Sequence, residues 1–110
     1  MTDHLDARAG TDFDRSGTTL TVYLSGDLDL VTSPAVHEQV SGQLAGVRRL
    51  VVNLSEVTFC DSVGVRLFAM LHEELAAAGA TLVLQDPTRM MRRLLDITGL
   101  AAVLPVHGVA

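Results

Sequence analysis

The chain has 110 residues, with 8 Lys+Arg against 13 Asp+Glu for a formal net charge of −5, and 48% apolar and 19% charged residues. That length supplies one domain able to bury roughly 65% of the surface its unfolded form exposes, and the composition excludes a disordered chain. The acidic balance argues against nucleic-acid binding driven by counterion release, and a single cysteine, Cys60, excludes an intrachain disulfide and a cysteine zinc cage.

Residues 1–10 are small and polar and carry no period, so a flexible N-terminal tail is expected there, with a single domain over 11–110. Thr11–Arg15 suits a short edge strand with Asp12, Asp14 and Arg15 toward water, and Ser16-Gly17 suits a turn. Thr18–Ser25 alternates Leu20, Val22 and Leu24 with Thr19, Thr21 and Tyr23, the period of a half-buried strand. Gly26-Asp27-Leu28-Asp29 is expected to end it. Ser33 then suits an N-cap and Pro34 the first helical position, for a helix that carries Val36, Val40 and Leu44 on one face and stops at Gly46.

Arg49–Leu54 holds Leu50-Val51-Val52-Asn53-Leu54, a near-continuous apolar run that suits a central strand. Ser55–Cys60 reads as a connector with some extended character. Asp61-Ser62-Val63-Gly64 opens the clearest helix, with Leu67, Phe68, Leu71 and Leu75 on one side and Glu73 and Glu74 on the wet side; it ends at Ala78 before Gly79. Thr81–Gln85 is a buried strand, Asp86-Pro87-Thr88 a turn and cap, Met90–Ile97 a third helix stopped near Gly99, and Ala102–Val106 a last short strand. Two successive strand–helix–strand units favour parallel strands with right-handed crossovers. The expected fold class is α/β, a mixed, mostly parallel β-sheet with an antiparallel edge hairpin.

The sequence offers little to an enzyme. His4, His37, His72 and His107 never pair at the spacing of a metal-binding helix, and neither G-x-G-x-x-G nor the P-loop pattern occurs. His37 and His72 read as surface or boundary residues. Cys60 precedes an acid, and a reactive thiolate needs a basic neighbour, so a buried structural thiol is expected. No cofactor and no metal are expected. Asp3, Asp6, Asp12 and Asp14 interrupt any apolar leader, and no run approaches the about 20 apolar residues of a membrane span. A cytoplasmic protein without a membrane span is expected.

Ser62 carries two readings. As an N-cap, its hydroxyl accepts a hydrogen bond from a free N–H of the first turn and stabilises the helix by about 1 kcal/mol. As an anion position, it stands where helix N–H groups and the positive dipole end favour negative charge. A phosphate there is tolerated by its own helix and adds about −1.5 to −2 charges, left uncompensated by Asp61 next door and, if the Asp27–Asp29 loop lies nearby, by Asp27 and Asp29. Gly64 permits close approach of another backbone. Arg66, one turn on, is either a solvated arginine or a contact to an acidic groove on a partner. Arg89, Arg92 and Arg93 form a basic cluster on the third helix that covers its last turns and balances surface charge rather than binding a ligand, and Met70, Met90 and Met91 are core or boundary filler.

Gly26-Asp27-Leu28-Asp29, a Ser-Pro-Ala helix start, Val57-Thr58-Phe59-Cys60-Asp61-Ser62-Val63-Gly64 and Arg93-Leu94-Leu95-Asp96-Ile97-Thr98-Gly99-Leu100 together resemble the STAS domain. More closely, they resemble the free-standing bacterial anti-sigma-factor antagonists, from about residue 12 to residue 106. The resemblance implies helices mainly on one face of the sheet. It also implies a phosphoacceptor serine in the Asp-Ser-x-Gly segment, here Ser62, modified by an anti-sigma factor that is itself a Ser/Thr kinase. The unmodified antagonist binds the anti-sigma factor and frees the sigma factor; phosphorylation ends binding, and a phosphatase acting on phospho-Ser62 restores it. Asp29 matches the acid close to that serine and Asp61 the acid before it. Val63 departs from the family, which often carries a second Ser or Thr there.

On this reading the partner surface comprises Asp27, Asp29, Asp61, Ser62, Val63, Gly64 and Arg66, and the chain itself is not an enzyme. Two other classes stay open. One is a STAS scaffold subunit of a signalling or transport assembly, with Ser62 only a cap. The other is a nucleotide or small-molecule module, for which there is no phosphate loop and there are few aromatic residues. A hydrolase using Ser62 needs a histidine base that the sequence does not place.

Overall fold

Leu20, Val22, Leu24 and Leu28 are all buried on one alternating side of a single strand, Thr19–Leu28 (β2), with Gly26 filling the position between the last two. They lie on the same side as Leu50, Val52 and Leu54 of the strand Arg49–Cys60 (β3) and Leu82 and Leu84 of the strand Thr81–Gln85 (β4). This apolar sheet face joins one core cluster with residues of three helices, Ser33–Ser41 (α1), Ser62–Ala77 (α2) and Arg89–Ile97 (α3), so all three helices cover the same face. Val36 and Val40 come from α1, Leu67, Phe68, Leu71 and Leu75 from α2, and Met91 and Leu95 from α3. The computed structural model describes residues 9–108.

The remaining strands are Ala9–Ser16 (β1) and Val106–His107 (β5). The five strands lie in the order β1-β2-β3-β4-β5, with β1 antiparallel to β2 and every other pair parallel. The fold class is the α/β sheet expected, with its antiparallel edge hairpin. Because β2, β3, β4 and β5 are parallel, their C-terminal ends emerge together at one end of the sheet.

Several boundaries differ from expectation. β1 starts at Ala9, so Ala9 and Gly10 belong to the sheet, while the rest of the expected tail lies outside the described residues. β2 does not stop at Gly26 but runs on to Leu28, which continues the alternation. The supposed connector Ser55–Cys60 is the second half of β3. Its pairing with β2 skips one β3 residue between Tyr23 and Ser25 and another between Gly26 and Asp27. Each skip is a bulge, two residues opposite one. The core-facing positions of β3 therefore run Leu50, Val52, Leu54, Val57, Cys60, and the period of two is lost after Leu54.

α1 ends at Ser41, and Leu44 packs against the core from the following loop. The last strand begins at Val106, not Ala102. Ala102 belongs to a 3-10 turn, Leu100–Ala102, that buries Leu100 and is followed by buried Leu104, and Pro105 has no N–H to give a neighbouring strand. The cap expected at Thr88 is present: its Oγ1 accepts from the Met91 amide at 3.2 Å.

α2 approaches the end of β2 very closely. A Cβ on Gly64 would stand 2.6 Å from the Leu28 carbonyl oxygen and 2.6 Å from Cys60 Sγ. A backbone carbonyl cannot step aside without disturbing the strand. Gly64→Ala is expected to lower stability by about 2–3 kcal/mol, at the upper end of overpacking costs, measured by urea unfolding; a wild-type midpoint would show that α2 has slack to move outward.

Candidate functional site

The end of β2 lies beside the end of β3, with Asp27 opposite Phe59 and Leu28 opposite Cys60. The Asp61 amide donates to the Leu28 carbonyl at 3.2 Å, and α2 starts at the next residue. Here the expected cap is corrected. Asp61, with extended backbone, is the N-cap of α2, and its Oδ1 accepts from the amides of Val63 at 2.9 Å and Gly64 at 3.1 Å. Ser62 is the first helical residue. Its side chain is exposed and its hydroxyl makes no hydrogen bond among the described residues. Sequence reasoning gave the cap to the serine; the acid one residue earlier outcompetes it, since an N-cap must keep non-helical backbone.

Asp29 shapes the neighbouring turn. Its Oδ1 accepts from the amides of Val31 at 2.9 Å and Thr32 at 3.0 Å, and its carbonyl accepts from the Ser33 amide. Thr32 Oγ1 donates to the Asp27 carbonyl at 2.7 Å and accepts from the Asp29 amide. Thr32, not Ser33, flanks α1 at its N-cap position, and it makes no side-chain cap bond. Ser33 falls inside the helix because the turn upstream has already been closed by Asp29, and its buried Oγ has no partner among the described residues.

Asp27 is set apart from the others. Its side chain sits on the opposite side of β2 from Leu28 by strand alternation, and its Oδ1 accepts from Thr58 Oγ1 at 3.1 Å. Asp29, Asp61, Ser62, Val63, Gly64 and Arg66 gather at the sheet end where α1 and α2 begin. Arg66 is exposed and has no hydrogen bond or ion pair among the described residues.

A groove of about 350 Å³ runs between the starts of α1 and α2. Leu30, Pro34, Val63, Leu67 and Met70 give it apolar walls, and Ser33, His37 and Arg66 add polar groups. Leu30 is 70% exposed, Val31 54% and Phe59 49%, high values for large apolar side chains. Sequence reasoning missed these residues. The signal was the pair Leu30-Val31, placed in a turn where it can reach no core. Below the groove, Glu74 joins the two helices, accepting from Ser41 Oγ at 2.9 Å and pairing with His37 Nε2.

The STAS-family model described as "Mlab, STAS domain" matches residues 11–105. The chain belongs to the STAS domain family. This STAS domain is 32% identical over 87 residues to an anti-sigma-B factor antagonist of Staphylococcus epidermidis, covering 78% of this chain and 81% of that protein. It is 30% identical over 90 residues to an anti-sigma F factor antagonist of Paenibacillus polymyxa, covering 80% and 77%. The crystal structure of an anti-sigma factor antagonist from Mycobacterium paratuberculosis superposes with a TM-score of 0.81 at 28% identity, over 90% of this chain and 85% of that one. Relatives named as antagonists support a binding protein, not an enzyme. Among the described residues no cluster of His, Cys, Asp and Glu could hold a metal, and no helix is long and apolar enough to cross a membrane.

Cys60 in this STAS domain is buried and its thiol is pushed up to about 12, first by burial and then by the Asp61 charge. It stays protonated in the folded state while an unfolded chain ionises near pH 8.5. Stability from this group is therefore complete below that pH and falls as pH rises toward 12. Iodoacetamide at pH 8.5 is expected to label the folded protein far more slowly than the urea-unfolded one; equal rates would mean an exposed thiolate. The cap assignment makes a separate prediction. Asp61→Ala is expected to cost about 1 kcal/mol, and Ser62→Ala less than about 0.5 kcal/mol as an exposed site without a partner, in parallel urea titrations. The reverse order would return the cap to Ser62.

Proposed function

We propose that this STAS domain is an anti-sigma-factor antagonist that works as a phosphorylation switch. Its unphosphorylated form binds an anti-sigma factor, itself a Ser/Thr kinase, and so releases the sigma factor. Phosphoryl transfer to Ser62 ends that binding, and a phosphatase acting on phospho-Ser62 restores it. The observation that carries this reading is the state of the Ser62 hydroxyl: exposed and spared from capping by Asp61, beside an apolar groove. The two curated relatives described above bear the antagonist name.

The chain needs no catalytic group for this role, because the kinase supplies nucleotide and metal. What it contributes is position. Asp61 already occupies the amides of Val63 and Gly64, so a phosphate on Ser62 cannot take those two N–H groups. The added charge falls on an exposed residue directly after Asp61. Like charges forced together across an interface cost several kcal/mol, and each 1.4 kcal/mol is about tenfold in affinity. A drop of roughly two to three orders of magnitude follows.

Incubation with candidate partner kinases and ATP, followed by phosphopeptide mapping, is expected to place the phosphate on Ser62. Ser62→Ala should keep the fold and partner binding while losing phosphate, and Ser62→Asp should weaken the complex by at least tenfold. Phosphate on another hydroxyl overturns the assignment. A complex indifferent to Ser62→Asp and to phosphorylation leaves the scaffold role.

A further inference from the structure

Among the described residues, the chain directly before Ser62 and the turn adjoining it carry acids, so a cation within reach of phospho-Ser62 is favourable. Asp61 precedes Ser62, and the carboxylate of Asp29 is held in the adjoining turn. The two amides that could have received the phosphate are taken by Asp61. One turn along the same helix stands Arg66, exposed and without a hydrogen bond or ion pair among the described residues. Residues 62 and 66 are four apart on α2, so their Cβ atoms lie about 5–6 Å from each other on one face. The anion comes first and the cation second, which is the favourable order with respect to the helix dipole. A guanidinium also matches a phosphate bidentately, which an ammonium does not.

We infer that Arg66 is the intramolecular latch of phospho-Ser62, folding back one turn to pair with the phosphoryl group. The inference rests on the phosphoacceptor role given to Ser62 above. In the unmodified protein Arg66 edges the apolar groove between α1 and α2. Pairing with the phosphate draws the guanidinium away from that groove. Modification of Ser62 therefore alters the surface twice: it adds negative charge, and it draws off Arg66, the one arginine or lysine among the residues that line the groove.

The test uses the full chain with phosphoserine introduced at position 62 during translation, which requires no partner kinase. Titration followed by phosphorus NMR reads the second ionisation of the phosphate in the wild type, Arg66→Gln and Arg66→Lys. A cation beside the phosphate favours the dianion, so the midpoint is expected roughly 0.2–0.4 of a unit lower with Arg66 than with Gln, with Lys between. The gap should shrink at 1 M NaCl, where the screening length is about 3 Å. Equal midpoints in the wild type and Arg66→Gln overturn the latch. The two readings fail separately. A partner kinase that modifies Ser62 combined with equal midpoints removes the latch and keeps the switch. A shifted midpoint in a chain that no partner kinase modifies keeps the pairing and removes the switch.

Discussion

The carboxylate of Asp61 claims the two amides at the start of α2, and the rest of the site follows from that. Had Ser62 capped its own helix, its hydroxyl would point inward at backbone N–H groups and be hard to reach. Because the residue before it does the capping, Ser62 enters the helix as an ordinary first-turn residue with its oxygen in water. The same arrangement keeps an incoming anion off those amides and leaves it on the surface. One hydrogen-bonding choice thus decides both the accessibility of Ser62 and the electrostatic effect of any charge placed on it.

That choice depends on where α2 begins, and the register of β3 sets it. Two bulges advance β3 by two residues relative to β2, bringing Cys60 opposite Leu28. The Asp61 amide then meets the Leu28 carbonyl, and Gly64 passes close to the same carbonyl. The helix is pinned to the strand at its first turn, with the groove walls of Leu30 and Pro34 on one side and Val63 and Leu67 on the other.

The same bulges explain what could be read from the sequence and what could not. Leu20, Val22 and Leu24, the run Leu50–Leu54 and the helix carrying Phe68, Leu71 and Leu75 obey simple periods, and the fold class came from them. After Leu54 the buried residues fall three apart, at Val57 and Cys60, so a strand looked like a connector. Gly26 likewise looked like a stop because turn residues surround it, although Leu28 keeps the alternation. Of the site, Ser62, Asp61, Asp29 and Arg66 were visible from motif and spacing. The capping partner was not, because Asp and Ser are equally good N-caps and only backbone dihedrals separate them. The exposed Leu30, Val31 and Phe59 were hidden for a different reason: Leu30-Val31 is an isolated apolar pair in a turn, and Phe59 lies in the bulged half of β3, where the period of two is lost.

The arrangement of strands also fixes where the chain enters and leaves. Ala9 stands opposite Gly26, and His107 stands opposite Gln85, at the C-terminal ends of β2 and β4. The first and last strands therefore meet the outside at the same end of the sheet as Ser62. The tight bend at Gly79, with open space around it, lies at the far end. A dye or tether attached at Ala9 or His107 therefore stands at the end of the sheet that holds Ser62, whereas one attached at the Gly79 bend stands at the opposite end.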